Sequence, residues 1–355
     1  RQSRNNQSRV QQRIKLKRKS RSHEASKLQR LYKIYPKRAA RLVLEETLPP
    51  YSGSLSDATT YLTTTYSRPH STNQQLMEAR TLFDSCNWTT PNSDQSTGLV
   101  SPPTSKEIEA RLLRANNTSP GMDKLEYRHL RLLDSKGHLL EKIFATVWTI
   151  GIPDIWRHSR TVSIYKKGDT AELSNFRPIS LLSTMYKLLS GIISHRLSTV
   201  AVDLGWISPE QKGFLPGANG IQEHTQLLQT IVEETKLKKG NMSMAFLDLC
   251  NAFGSIPHMV IGELFSSLPV PEGLRSLIMD IYSNNRLDFA IGPDTVPIYP
   301  TAGVRQGDPL SSIVFNLAAE PLLRTAKTSP GLLLFGTSVK VTAFADDIAL
   351  VASSV

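Results

Sequence analysis

The residues best suited to chemistry in this chain are three aspartates, Asp248 and the adjacent pair Asp346-Asp347. Each sits at the edge of a strand-like run: residues 242–249 lead into the first, and 339–344 and 348–351 flank the pair, which places it at the bend of a hairpin. Carboxylates in such an apolar setting are costly, and adjacent ones repel unless they are protonated, hydrogen-bonded or bound to a cation. Magnesium prefers hard oxygen ligands, usually one or two carboxylates completed by phosphate oxygens and water. Asp248 joined to the pair suits that ion. The same residues have plainer uses, since Asp is common in turns and Asp248, ending a strand before a helical segment, fits an N-cap. Spacing alone leaves these alternatives open.

The elements that must position the aspartates can be traced outward from them. Residues 160–165 alternate as a short strand, and Ile179, Leu182, Met185, Leu189, Ile192, Ile193 and Leu197 then recur with helical period, which predicts a long buried helix. Further helices are expected over 221–237, 257–268, 272–282 and 308 to about 325, with a hairpin of 286–291 and 295–299 around Gly292-Pro293-Asp294. Upstream, helical stretches fall near 106–114, 126–133 and 138–150. Residues 47–105 are rich in Ser, Thr, Pro and Asn and hold one plausible helix near 74–83, so they read as a linker or loosely packed extension. Residues 1–46 read as a basic arm followed by a basic helix. This mixture of strands and helices is an α+β pattern.

Composition narrows the partners. With 39% hydrophobic and 21% charged residues and no apolar run near the ~20 residues of a membrane span, a transmembrane reading fails. The two cysteines, Cys86 and Cys250, form no CxxC pair, so neither a disulfide framework nor a zinc knuckle is suggested and a reducing, intracellular compartment is expected. The eight histidines show no HExxH or paired metal spacing. The chain opens on Arg1 with no signal-like segment and is read as a fragment. Its net charge of +11 is uneven: residues 1–50 hold 15 Lys and Arg against 3 Asp and Glu, a net of +12. The run containing Arg13, Lys15, Lys17, Arg18, Lys19 and Arg21 suits a polyanion bound by counterion release. A solvated tail or a localisation signal would carry the same charge.

Several strings occur in a telling order. They are Ser119-Pro-Gly-Met-Asp123, Lys166-Lys-Gly-Asp169 leading into Asn175-Phe-Arg-Pro-Ile-Ser-Leu-Leu182, and Gln211-Lys-Gly-Phe-Leu-Pro-Gly217. Phe246-Leu-Asp-Leu-Cys-Asn-Ala-Phe253, Gly303-Val-Arg-Gln-Gly-Asp-Pro-Leu-Ser311 and Phe344-Ala-Asp-Asp347 follow. From about Thr104 to the end, the sequence resembles the reverse-transcriptase domain of non-LTR retrotransposons, especially the site-specific kind. Leu28-Gln-Arg-Leu-Tyr32 and Lys37-Arg-Ala-Ala40 resemble, more weakly, the RNA-binding extension that precedes the fingers in these elements.

The resemblance implies a right-hand polymerase: fingers over 106–240, and a palm over 241–355 with an antiparallel sheet and packed helices. The later palm motifs and the thumb would be absent, so the chain is expected to be a catalytic core that is weak or inactive alone. It implies an RNA-directed DNA polymerase that adds dNTPs to the 3′-hydroxyl of a DNA primer, or of nicked target DNA, on an RNA template. Asp248, Asp346 and Asp347 would be the catalytic metal ligands for two magnesium ions, with manganese as a possible substitute, and Asp346 the more direct ligand of its pair. Two such ions about 3.5–4 Å apart can activate the attacking hydroxyl and stabilise the leaving pyrophosphate. Phe253 would be the aromatic gate against a 2′-hydroxyl, and Gln306 and Gly307 would line the incoming nucleotide. Lys166 and Arg177 would lie near the triphosphate and template. Core packing, a plain turn and ordinary surface or local pairing are the respective simpler uses of these residues. Action in the nucleus with a cytoplasmic ribonucleoprotein stage is implied as well.

Three positions depart from the family pattern: Asn251 stands where a basic residue is common, Gly254 where a second aspartate is common, and Lys124 where a glycine is frequent. The first two bear on local nucleotide or template contacts and the third on the conformation of its loop. The competing expectation is a non-catalytic RNA-binding remnant, motivated by the basic arm. A metal-dependent nuclease is more distant, because the Arg-Gln-Gly-Asp-Pro loop argues against it.

Overall fold

The computed structural model describes residues 48–249 and 251–353. The chain divides into units Arg1–Pro50 and Tyr51–Val355, and every element below belongs to the second. The predicted basic arm and helix, with Arg13, Lys15, Lys17, Arg18, Lys19 and Arg21, lie outside the described residues, as does Cys250.

Three helices, α1 (Leu55–Tyr66), α2 (Asn73–Asp84) and α3 (Ser93–Val100), occupy the stretch whose composition predicted one helix in a loose linker. Each starts where a short polar side chain satisfies orphan backbone N–H groups. Ser54 caps α1, and Thr72 with Gln75 and Asn92 with Gln95 form capping boxes on α2 and α3. Their apolar faces are narrow but buried, through Ala58, Leu62 and Tyr66 on α1, Phe83 on α2 and Leu99 on α3. Next come α4 (Ser105–Arg114), again begun by a capping box from Thr104 and Glu107, then α5 (Tyr127–Leu133), α6 (His138–Ile150) and the short α7 (Asp154–Arg157).

Two sheets carry the rest. The first has the order β2-β1-β4-β5, where β1 is His158–Tyr165, β2 Phe176–Leu181, β4 Arg286–Ile291 and β5 Asp294–Ile298. Its β1 and β4 run parallel while the outer pairs are antiparallel hairpins, so the sheet joins segments on both sides of residue 240. The second has the order β3-β9-β8, all antiparallel, with β3 at Ser243–Asp248, β8 at Val341–Phe344 and β9 at Asp347–Ala352. A small hairpin that the sequence did not predict, β6 (Leu332–Leu334) with β7 (Thr337–Val339), precedes β8.

Helices α8 (Thr184–Asp203), α9 (Gly220–Leu237), α10 (Ala252–Ser255), α11 (His258–Ser267), α12 (Glu272–Tyr282) and α13 (Pro309–Ala326) complete the unit. The predicted long helix is α8, buried on most sides and packed on α13, so that Leu188, Leu189, Ile193 and Leu197 meet Leu310, Val314 and Leu317 in one core. Burial of each such side chain stabilises the fold by about 1.5–3 kcal/mol. A separate core, built from Ala58, Leu62, Leu173, Phe176, Leu287, Phe289 and Val296, lies against the first sheet. Helix α1 therefore supports the same sheet that the β1–β2 hairpin projects from.

Candidate active site

Strand pairing fixes the aspartates before any side chain is considered. In the register of β3 and β9, Asp248 stands directly opposite Asp347, and Asp346 lies in the two-residue turn from β8 into β9. Like charges opposite one another on neighbouring strands are destabilising, so this register concentrates negative charge at one end of the sheet at a cost in stability. Burial raises the Asp346 pKa above the usual carboxylate range, and the charges of Asp347 and Asp248 raise it further, against a lowering contribution from Arg177.

All three carboxylates line a cavity of about 830 Å³. Lys166, Arg177, Phe253, Gln306 and Gly307 line the same cavity, so the structure brings together in one place every site residue proposed from the sequence for catalysis or nucleotide contact. The two cations come from the β1–β2 hairpin: Arg177 pairs with Ile164 in the strand register, and Lys166, just past β1, donates its backbone N–H to Asn175 O at 2.9 Å. Both are exposed at the cavity wall facing the acidic end of the second sheet.

Phe253, on α10 a few residues beyond Asp248, is packed on one side and open to the cavity on another. Its ring stacks on Phe315 of α13 at a centroid distance of 4.7 Å with planes 9° apart, and it also faces the cavity. The Phe214 ring meets it edge-on at 6.0 Å and lies 6.1 Å from Phe344, forming an aromatic rim that sequence reading passed over. The only signal was its place in the Gln211–Gly217 string.

Gln306 and Gly307 are held from behind. Ser180 N donates to Gln306 O at 2.8 Å, which pins the loop to β2. Gly307 has φ +116°, and a Cβ there would lie 2.7 Å from Ser180 O, so this close approach requires glycine. Asp308 N-caps α13 by accepting from Leu310 N at 3.0 Å, and also accepts from the Tyr186 hydroxyl. Arg305, fully buried, sits 3.5 Å from Asp308 and 4.6 Å above the Tyr186 ring. This Tyr186–Arg305–Asp308 cluster was not singled out from sequence, although Asp308 before Pro309 carried a readable helix-start signal.

Two of the three departures, Lys124 and Asn251, share a left-handed backbone. Lys124 adopts φ +55°, the left-handed conformation that a glycine would favour. Asn251 has φ +49° and lines the cavity at the start of α10.

The donor set suits a hard divalent cation that brings further oxygens with it. Among the described residues no three His, Cys, Asp or Glu side chains form a group that could hold a metal ion. Three carboxylates around one cavity, with Asp346 disfavoured as an anion first by burial and then by its two neighbours, nevertheless form an acidic place that a cation would relieve. Magnesium, which keeps waters and substrate phosphates in its shell, needs no closed cage of protein ligands.

The family model described as reverse transcriptase (RNA-dependent DNA polymerase) matches residues 164–355, more than half of the chain and all eight predicted residues of the cavity. The chain belongs to the reverse transcriptase family. It is 29% identical over 251 residues to the Retrovirus-related Pol polyprotein from type-1 retrotransposable element R2 of Nasonia vitripennis, a match covering 70% of this chain and 23% of the relative. It is 30% identical to the corresponding protein of type-2 element R2DM of Drosophila melanogaster (67% and 22% covered) and 32% identical to the transposon TX1 149 kDa protein of Xenopus laevis (72% and 20%). These relatives bear out the motif-based recognition of a non-LTR retrotransposon reverse transcriptase. The chain spans less than a quarter of the length of each. Among the described residues, no helix is long and apolar enough to cross a membrane.

Proposed function

We propose that this reverse transcriptase chain holds the nucleotidyl-transfer site of an RNA-directed DNA polymerase, taking dNTPs, an RNA template and a DNA primer or nicked target DNA as substrates. The observation that carries the reading is the single cavity where Asp248, Asp346 and Asp347 face Lys166, Arg177, Phe253, Gln306 and Gly307. On this reading β3-β9-β8 is the palm sheet and the β1–β2 hairpin belongs to the fingers.

Asp248, Asp346 and Asp347 would hold the divalent ions. When bound, two magnesium ions, or manganese in their place, would activate the primer 3′-hydroxyl and stabilise the leaving pyrophosphate. The chain's own residues do the rest. Arg177 and Lys166 attract and orient the triphosphate by charge. The Gln306–Gly307 backbone, free of a side chain at Gly307, admits the nucleotide closely. Phe253, fixed by its stack on Phe315, would act as the gate that a ribonucleotide 2′-hydroxyl meets. Nuclear action with a cytoplasmic ribonucleoprotein stage accompanies this reading.

The test is primer extension on an RNA template with dNTPs and magnesium, by the full protein that contains this chain. Incorporation that disappears in the Asp346→Ala variant is the expected result. RNA binding without any extension by the parent protein would instead support the non-catalytic remnant, and equal activity in the variant would remove the cavity from the chemistry.

A further inference from the structure

Gln211 opens one of the strings that pointed to the family, yet nothing so far gives it a task. Its segment lies along β8: Lys212 N donates to Ala343 O at 2.9 Å, Ala343 N donates to Glu210 O at 3.0 Å, and a parallel bridge joins Gln211 to Ala343. Backbone pairing thus reaches β8 but stops short of the turn that carries Asp346. There the Gln211 side chain, 1% exposed, takes over. Its Oε1 accepts the Ala345 N–H at 2.7 Å and the Gly213 N–H at 2.8 Å, and its Nε2 donates to Ala345 O at 3.2 Å. One side chain therefore satisfies both backbone polar groups of Ala345.

Ala345 needs that hold. Its φ is +57°, in the left-handed region that a residue with a Cβ avoids, and such a conformation persists only where the surroundings over-determine it. The residue is buried, 2% exposed, so water offers no substitute partner. Gly213 tightens the clamp. A Cβ there would lie 2.3 Å from Ala345 N, and Gly213 O is itself fixed by Asn316 Nδ2 of α13 at 2.8 Å.

We infer that Gln211 is a positioning residue for Asp346, holding the Ala345 peptide left-handed so that the next residue presents its carboxylate to the cavity. Gln211 does not line that cavity and acts only through the turn. The inference rests on the nucleotidyl-transfer reading for its effect on rate, and on the hydrogen bonds alone for its effect on the turn.

The experiment compares wild type, Gln211→Leu, Ala345→Gly and the double variant in the full protein. It measures hydrogen exchange of the peptide containing Ala345 together with single-nucleotide incorporation. Gln211→Leu is expected to speed exchange at Ala345 at least about tenfold, since both hydrogen bonds that bind the turn to the side chain are lost. It should lower kcat about tenfold to a hundredfold with KM for the nucleotide nearly unchanged, because a small displacement of a reacting group costs that much. Ala345→Gly alone should be close to neutral, and in the double variant it should restore much of kcat, because glycine takes the left-handed conformation without help. A merely structural glutamine would not be rescued by a glycine at 345.

Should Gln211→Leu fail to fold, the unbranched Gln211→Met carries the test: it fills nearly the same space and removes the same hydrogen bonds to the turn, so a kcat loss with the same rescue is expected. Unchanged exchange at Ala345, or a kcat loss that Ala345→Gly leaves in place, overturns the inference. If wild type incorporates nothing, the reading of the cavity fails, while the exchange comparison still decides whether Gln211 holds the turn.

Discussion

Asp346 and Phe253 show how single side chains at this site serve competing demands. The Asp346 carboxyl is raised above its ordinary pKa first by burial and then by Asp347 and Asp248. A carboxyl raised in the folded state lowers stability once it ionises, so the penalty is present at neutral pH and is relieved as pH falls through the raised value. Incorporation at limiting magnesium should therefore fall on acidification earlier than an ordinary aspartate would dictate, and saturating magnesium should move that limb to lower pH. A pH–rate series at two magnesium concentrations checks this, and an acid limb indifferent to magnesium would speak against it. For Phe253, on the proposed gate role, replacement by valine would open space in the cavity for a 2′-hydroxyl. Ribonucleotide incorporation relative to dNTP should rise by about tenfold or more, each 1.4 kcal/mol of lost discrimination being a factor of ten. Competition between the two nucleotides on one template measures the ratio.

At the scale of elements, the caps and turns decide where the site's supports begin and end. Glu107 closes the capping box of α4 and also pairs with Arg196 of α8 at 2.6 Å. Burial alone would raise its pKa, but hydrogen bonds from Arg196 and Thr104 outweigh it and hold it down to about 2. Its contribution is fully present above the ordinary glutamate value near 4.5 and is lost as pH falls toward about 2. Glu107→Gln should thus lower stability by about 1 kcal/mol at most, given its partial exposure, with the difference vanishing below about pH 2; melting curves from pH 2 to 6 test it. Lys124→Gly should raise stability by about 1 kcal/mol, since its φ of +55° no longer opposes a side chain. A loss of stability on that change would contradict the role given to the conformation.

What could be read at this scale, and what could not, follows from the forces involved. The helices α8, α9, α11 and α12 and the hairpin around Asp346-Asp347 follow long apolar periodicities, which survive in any compact fold. Helix α2 matches the helix expected near 74–83, but α1 and α3 were missed because their buried faces are a few residues wide. Their visible marks were the Ser54 cap of α1 and the capping box of Asn92 with Gln95 on α3, local signals that composition hides. Strand β2 was absorbed into the expected long helix because Ile179 and Leu182 happen to fit its period.

Across the whole molecule, the site is a meeting of distant segments. Residues from Lys166 to Asp347 converge on one cavity only because a hairpin from one sheet faces the end of another. Motif order made the membership of that set legible from sequence. The clamp by Gln211 and the Tyr186–Arg305–Asp308 cluster were not, because they depend on which side chains meet across more than a hundred residues. A site built by crowding carboxylates should trade stability for chemistry. The most direct measurement is therefore made on Asp346→Asn, which removes the charge at nearly constant shape. Melting temperature should rise, by an amount corresponding to about 0.2–1 kcal/mol of relieved repulsion, while magnesium-dependent incorporation on an RNA template is lost. A variant that is no more stable and incorporates as well as wild type would contradict the account.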